Sequence, residues 1–367
     1  MVYRAIGLMS GSSLDGLDIA FVEFQEQGGK WTYEIIQADC YSYSAKWVER
    51  LRNATNLSAR EYQILHTDYG HYTGQQVNRF IDVYQLHYKV AVIASHGHTT
   101  FHLPAQKMTA QLGDGAAIAA ETQLPVVSDL RALDVAFGGQ GAPIVPIGEK
   151  LLWTEYAYFL NIGGIANISF NANPYVAFDV CPANRVLNML ANNAGKVYDA
   201  GGEMAASGSV NVVLLEKLND LAYYNQSYPK SLANDFGTDV IFPMIRDSGC
   251  SIVDGLRTFV EHIAIQIKRA ITSVQLFTPD LVPTGSLLLA TGGGALNTFL
   301  IERLNCHLKD LKIEVAVPDE RLINYKEALI MAFIGVLRWR QEYNVLSSVT
   351  GAARDSIGGA LWTGQEA

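Results

Sequence analysis

The sequence predicts an α/β protein of two domains, and three observations carry that expectation. Strand-like runs rich in β-branched and aromatic residues alternate with helix-period runs along the chain. A length of 367 residues is long for one core and comfortable for two. Glycine-rich turns interrupt apolar strand-like runs at 7–24, 157–170 and 286–304.

The first of these is "GLMSGSSLDGLDIAFVEF" (7–24). An apolar run ends at Met9, passes through Gly11, Ser12, Ser13, Leu14, Asp15, Gly16, Leu17 and Asp18, and resumes as Ile19–Phe24. The resumed run is β-branched and aromatic, so the turn joins two strands. A dinucleotide fold or a P-loop would place its glycines between a strand and a helix. Small residues let backbone N–H groups approach a ligand, and Ser12 and Ser13 add hydroxyl donors, which makes a cradle for phosphate oxygens. Asp15 and Asp18 would repel phosphate unless a cation intervenes; Mg2+, held directly or through water, is the usual solution. A plain hairpin with Asp and Gly as turn residues is the competing reading.

Further along, "VAVIASHGH" (90–98) and "LPVVSDLR" (124–131) are expected as buried strands entering polar loops. The Gly/Pro-rich loop "FGGQGAPIVP" (137–146) is the expected domain junction, which gives domains of 1–140, joined by 350–367, and 141–349. "AYFLNIGGIANISF" (157–170) is strand, Gly163-Gly164 turn and strand, the layout of the first hairpin about 150 residues earlier. Spacing alone slightly favours two unrelated hairpins over two similar halves. "VDGLRTFVEHIAIQIKRAITSV" (253–274) predicts a helix with Leu256, Val260, Ile263, Ile267 and Ile271 on one face and Asp254 as its cap. "SLLLATGGGALNTFLIERL" (286–304) predicts a strand, the turn Gly292–Gly294 and a helix. There the glycines would let an adenosine or a phosphate lie against backbone.

Composition narrows the function classes. Hydrophobic content of 49% and charged content of 17% describe an ordinary globular chain. A net charge of −9 argues against a nucleic-acid or anionic-membrane partner. The N-terminus lacks the apolar core of a signal peptide, and no apolar run approaches the ~20 residues of a membrane span. Cys40, Cys181, Cys250 and Cys306 are far apart and are expected as free thiols of a cytoplasmic protein.

Six segments together resemble the anhydro-N-acetylmuramic acid kinase family. They are "MSGSSLDGLD" (9–18), "SHGHTTFH" (95–102), "QLGDGAAIA" (111–119), "VVSDLRALDVAFGGQGAPIVP" (126–146), "LNIGGIANIS" (160–169) and "SVTGAARDSIGGALW" (348–362), and they span essentially the whole chain. The resemblance implies the sugar kinase, Hsp70 and actin architecture: two related, ribonuclease H-like α/β domains flanking a nucleotide cleft. It implies ATP-dependent phosphorylation of O6 of 1,6-anhydro-N-acetylmuramic acid while water opens the anhydro bridge at C1. It also implies a homodimer. Residue by residue, Gly11 to Asp18 match the ATP-binding segment, with Asp15 and Asp18 toward Mg2+. The nucleotide side takes Gly163, Gly164, Asn167 and the turn Gly292, Gly293, Gly294. Asp179 in "FDVCPANRVLN" (178–188) matches the catalytic carboxylate, and Arg131, Glu327, His96 and Asp129 fall on the sugar side.

The chemistry agrees with these residue types. Phosphoryl transfer asks for positioning and charge neutralisation. Water attack asks for a base, and a partly desolvated carboxylate serves. An Arg fork suits the lactyl carboxylate of a muramic acid, although Asp129 or Asp134 could instead claim Arg131 in a salt bridge. Asp179 could equally be a turn-forming Asp before Pro182. His96, His98 and His102 are expected as hydrogen-bonding groups more than as a zinc cluster. The chain departs from many relatives at Cys181, Ala183, Asn188 and Ala200 and in "KSLANDFG" (230–237), which bears on sugar preference. A kinase for another amino sugar, and an ATP-driven switch, are the alternative readings.

Overall fold

The two apolar runs beside the first turn form β1 (Val2–Ser10) and β2 (Gly16–Gln27), antiparallel from Val2↔Gln25 to Ser10↔Leu17. In the computed structural model of the chain, residues 1–11, 13–228, 230–233, 235–277 and 286–364 are described. They form two units, Met1–Trp153 with Tyr325–Ala367, and Thr154–Asn324.

In the first unit β3 (Lys30–Ser42) lies antiparallel on β2, and β4 (Val92–Leu103) runs parallel to β1. β5 (Met108–Leu112) folds back on β4, and β6 (Val126–Ser128) extends the sheet beyond it. The core under this sheet gathers Ile6, Leu8, Ile19, Phe21 and Ile93 against the helix Ala59–Tyr84. That helix begins with a reciprocal Ser58–Glu61 capping box, two orphan donors satisfied at once.

In the second unit β7 (Tyr156–Ile162), β8 (Ile165–Phe170) and β9 (Val176–Pro182) form an antiparallel meander. β10 (Leu287–Thr291) and then β11 (Glu314–Ala316) add parallel to β7. Finally β12 (Ala360–Trp362) closes the edge of the first sheet against β6. The orders are β12-β6-β4-β1-β2-β3 and β11-β10-β7-β8-β9. Each sheet thus has a hairpin first, a third antiparallel strand outside it, and parallel strands on the other flank. The two hairpins are equivalent strands of sheets with one plan, which corrects the reading of them as unrelated. Spacing could not reveal this, because equivalence lies in long-range strand pairing.

The helix read at 253–274 spans Ile252–Phe277, and Leu256, Val260, Ile263, Ile267 and Ile271 are all fully buried. Its start differs from expectation. The Ser251 hydroxyl accepts the Asp254 amide, while Asp254 itself accepts the Ser209 amide at 2.6 Å. Ser251 therefore caps this helix and Asp254 ties in a neighbouring loop.

The units divide at Trp153/Thr154 and Asn324/Tyr325, against 140/141 and 349/350 from the sequence. The Gly/Pro-rich loop stays with the first unit because buried Asp134 accepts from the Gly141 amide (2.7 Å) and the Thr350 hydroxyl (2.7 Å). The Gln140 amide also donates to the Thr350 carbonyl. The helix Glu320–Trp339 belongs to the first unit from Tyr325 onward, where its backbone lies directly on the sheet. A Cβ on Gly7 of β1 would overlap the Ala328 carbonyl and crowd the Ala332 amide; one on Gly335 would meet Ala94 of β4. Gly7→Ala therefore forces backbone against backbone. We expect it to cost at least about 2 kcal/mol, read as a lowered Tm. An unchanged Tm would show that the helix can shift away from β1.

Candidate functional site

The residues of interest in the first unit collect at the carboxyl ends of β1, β4 and β6, where open α/β sheets gather their ligand sites. After β1 the chain turns through Gly11, Ser13, Leu14 and Asp15; Ser12 lies outside the described residues. Leu14 sits at φ 59°, a left-handed conformation that an L side chain adopts rarely, and its amide reaches the Gly11 carbonyl at 3.4 Å. The Asp15 carboxylate holds the turn from inside, accepting from the Ser13 hydroxyl (2.7 Å) and the Gly16 amide (3.1 Å). Gly16 is required by closeness to β3, where a Cβ would strike Cys40 Sγ and the Tyr41 carbonyl. Leu17 points into the core, so among the turn residues it can offer a ligand only backbone.

Asp18 is partly buried at the start of β2, opposite Met9. Burial pushes its carboxyl up to about 6; a hydrogen bond from the Cys40 thiol opposes this, and the charges of Asp15 and Glu327 add to it. The same neighbourhood pushes the Cys40 thiol up to about 12. Asp18 thus feels the negative charge of both Asp15 and Glu327.

Arg131 and Glu327 feel each other's charge. Glu327 is reachable from solvent, yet the protein packed around it raises its carboxyl above the usual range against the pull of Lys326 and Arg131. Lys326 itself is buried and bonded to Glu149 at 2.6 Å, which anchors this turn of the helix. Arg131 donates Nε to His96 Nε2 (2.9 Å) and Nη1 to the Gly141 carbonyl. Burial brings its guanidinium down to about 10. Among the described residues no carboxylate makes an ion pair with it. Asp134 is occupied by Gly141 and Thr350, and exposed Asp129, at φ 54°, accepts from the Ser128 hydroxyl. The internal salt bridge weighed for Arg131 is not formed.

The three histidines are each engaged by hydrogen bonds. His96 lies between Arg131 and the Gly97 carbonyl (2.9 Å). His98 Nδ1 meets the Ser10 hydroxyl (3.0 Å), which also accepts from Tyr43, and His102 Nδ1 meets Thr109 (3.1 Å).

In the second unit the corresponding hairpin turns at Gly163 and Gly164. Their carbonyls accept the Asn184 (3.0 Å) and Ala183 (2.8 Å) amides, which docks the start of the helix Asn184–Asn193 on the turn. Gly292, at φ 78°, and Gly294 touch the same hairpin: a Cβ on either would strike Asn161 or Ile162. Gly163, Gly164 and Gly293 have no such neighbour closer than 3.5 Å, so the space where a side chain would stand is open at each. The helix after β10 starts only at Thr298, capped by Asn297, and Gly293 and Gly294 lie in a short 3-10 turn before it.

Asp179 sits inside β9 beside a bulge, with Asn167 of β8 as its cross-strand partner. The strand continues to Pro182, paired with Ile165, so Asp179 is not a turn-forming residue before proline. Its Oδ2 accepts the Leu232 amide (2.9 Å), its amide donates to the Lys230 carbonyl (3.3 Å), and the Tyr223 hydroxyl donates to its carbonyl (2.7 Å). Burial raises its carboxyl, opposed by Leu232 and the Ser231 hydroxyl. Tyr223, Ser231 and Leu232 carried no signal in the sequence, because 44 to 53 residues separate two of them from Asp179. Of the departures from the family pattern, Cys181 and Ala183 are core residues, Asn188 is half-buried on the helix Asn184–Asn193 and Ala200 is exposed.

Comparison with known proteins follows the same lines. Residues 3–364 match the family described as anhydro-N-acetylmuramic acid kinase. The anhydro-N-acetylmuramic acid kinase of Sulfurovum sp. (strain NBC37-1) is 31% identical over 98% of this chain and 99% of its own. That of Francisella tularensis subsp. novicida (strain U112) is 33% identical over 97% of each. Among solved structures, an activator of 2-hydroxyisocaproyl-CoA dehydratase from Clostridium difficile with bound ADPNP is 14% identical. It covers 92% of this chain and 96% of that one at a TM-score of 0.41, too distant to inform the site. The chain belongs to the anhydro-N-acetylmuramic acid kinase family.

Proposed function

We propose that this protein is an ATP-dependent sugar kinase that converts 1,6-anhydro-N-acetylmuramic acid, ATP and water to N-acetylmuramic acid 6-phosphate and ADP in peptidoglycan recycling. Family membership over nearly the full chain supports the activity, and the setting of Asp179 is the observation that carries the mechanism. A carboxylate raised by burial, yet fixed by the Leu232 amide, is suited to take a proton from water at C1. Phosphorylation makes O6 a better leaving group from C1, so water attack and phosphoryl transfer assist each other.

The remaining roles follow from the chemistry of each group. The turn Gly11–Asp18 and the glycines Gly164 and Gly293 offer backbone amides to phosphate, with Gly163, Asn167 and Gly292–Gly294 on the nucleotide side. Arg131 binds the lactyl carboxylate and Glu327 accepts sugar hydroxyls. Asp129, exposed and strained, completes the sugar side. The negative charges of Asp15 and Glu327 felt by Asp18 favour a cation beside it: Asp15 and Asp18 would hold Mg2+, directly or through water. Bound there, it would neutralise phosphate charge. No helix among the described residues is long and apolar enough to cross a membrane. We assign the protein to the cytoplasm, as a homodimer without a nucleic-acid partner.

Asp179→Asn removes the base and leaves the carbonyl that holds Tyr223. Turnover should fall by about 10³-fold while ATP and sugar still bind, measured by ADP release and calorimetry. Retained turnover would move the base elsewhere. Because Asp179 acts ionised and its carboxyl is raised, kcat should fall on acidification at a pH above the ordinary carboxylate range. Ser231→Ala, which removes a bond that lowers this carboxyl, should move the fall to higher pH. A profile unmoved by that change would detach the limb from Asp179.

Asp18 supplies a thermodynamic test. Its folded carboxyl titrates near 6 and an unfolded one near 3.8, so the native state binds more protons between these values. Stability without cation should therefore decline as pH rises through that window. Asp18→Asn removes the penalty and should stabilise the protein at pH 8 by about 1 kcal/mol after allowance for solvent screening. Mg2+ should raise the Tm of the wild type at pH 8 and leave that variant unmoved. Equal Mg2+ effects on both would remove Asp18 from the cation site.

A further inference from the structure

His96 is almost fully buried, and both of its ring nitrogens are engaged by protein: Nε2 with Arg131 Nε at 2.9 Å, and Nδ1 with the Gly97 carbonyl at 2.9 Å. The partners settle the proton. A guanidinium can only donate, so Nε2 carries the lone pair. A carbonyl can only accept, so Nδ1 carries the hydrogen. The ring is neutral and of one tautomer. Burial, with the Arg131 charge second, brings its titration down to about 3, so it stays neutral across any working pH. In that state it has no donor or acceptor left for a sugar.

An arginine carries five N–H protons. His96 and the Gly141 carbonyl take one each, from Nε and Nη1. Both Nη2 protons and one on Nη1 have no protein partner among the described residues. Nη1 and Nη2 together form the guanidinium's outer edge, which can grip a carboxylate through two parallel bonds. Two fixed points, on different nitrogens of a planar group, leave it no rotation about its own axis. Buried cations without a counter-ion are costly, and an acceptor of no charge holds one in place without neutralising it. A carboxylate in the place of His96 would orient Arg131 equally well but would spend its charge.

We propose that His96 is a positioning residue that presents the outer edge of Arg131 to the carboxylate of the substrate, as a neutral acceptor and not as a sugar ligand. This rests on the reading of the substrate as a muramic acid-type sugar. The family resemblance, which implies His96 on the sugar side, does not distinguish touching the ligand from holding the residue that does.

The test compares binding of two ligands by calorimetry: 1,6-anhydro-N-acetylmuramic acid, and 1,6-anhydro-N-acetylglucosamine, which lacks the lactyl group. Wild type should favour the carboxylated sugar by at least about tenfold. His96→Phe keeps a ring and removes the acceptor. It should reduce that preference to within about threefold, with the uncharged sugar and ATP bound as in the wild type. His96→Gln, whose amide can accept from Arg131, should recover much of the preference. If the Phe variant does not fold, His96→Leu takes its place. Preference retained in an acceptor-free variant overturns the inference and leaves the activity standing. So does equal loss of both sugars that Gln fails to rescue, which would mark a merely structural histidine. A wild type that shows no preference overturns the muramic acid reading, and this inference with it.

Discussion

The contact on which the first unit's chemistry depends is the one between Gly7 and Ala328. With no side chain at Gly7, the backbone of the helix Glu320–Trp339 lies on β1 itself. Glu327 is the residue immediately before that contact, and Lys326, one further back, is pinned to Glu149 in the interior. The helix can neither slide nor rotate without losing one of these. A carboxylate is thereby fixed close enough to Asp18 and Arg131 for each to feel its charge. Acids held together by packing that would not otherwise collect are the usual cost of a binding site, stability given up for a poised field.

The two sheets repeat one strand order but divide the work through their turns. In the first, the link from Ser10 to Gly16 is long enough to carry hydroxyls and acids. In the second, Ile162 and Ile165 are joined by two glycines alone, and Gly292 and Gly294 press on the same hairpin. One turn supplies charge and the other bare backbone. Both lie at the carboxyl ends of parallel strands, because the shared plan puts them there.

Much of this was legible in the sequence, and the reasons for the remainder are physical. Hairpins, the long amphipathic helix and the glycine turns are local, and their signals of period and composition lie within a dozen residues. The division into units was harder, since a Gly/Pro-rich loop looks like a junction until Asp134 is seen stitching it to Thr350. Roles that depend on distant partners were the least visible. Arg131 has a motif around it, but the carbonyl of Gly141 and the imidazole of His96 give it direction. Asp179 was found through resemblance, whereas Tyr223, Ser231 and Leu232 stand on it without a pattern that marks them.

That last arrangement also explains how the chain can depart from its relatives beside Asp179. Cys181 and Ala183 are buried among apolar neighbours, where a change of side chain is a packing question. The contacts that fix Asp179 and the Gly163–Gly164 turn are largely main-chain: the Leu232 amide, the Lys230 carbonyl, and the amides of Ala183 and Asn184. Backbone groups are the same whatever residue bears them. A loop such as 230–233 can therefore change its letters and still hold the carboxylate, so long as its path is kept. Side chains matter where they adjust the field: Ser231, whose hydroxyl lowers the Asp179 carboxyl, and Tyr223, whose hydroxyl fixes the strand beneath it. Substitution there acts on the Asp179 carboxyl, while substitution at Cys181 or Ala183 acts on the core behind it.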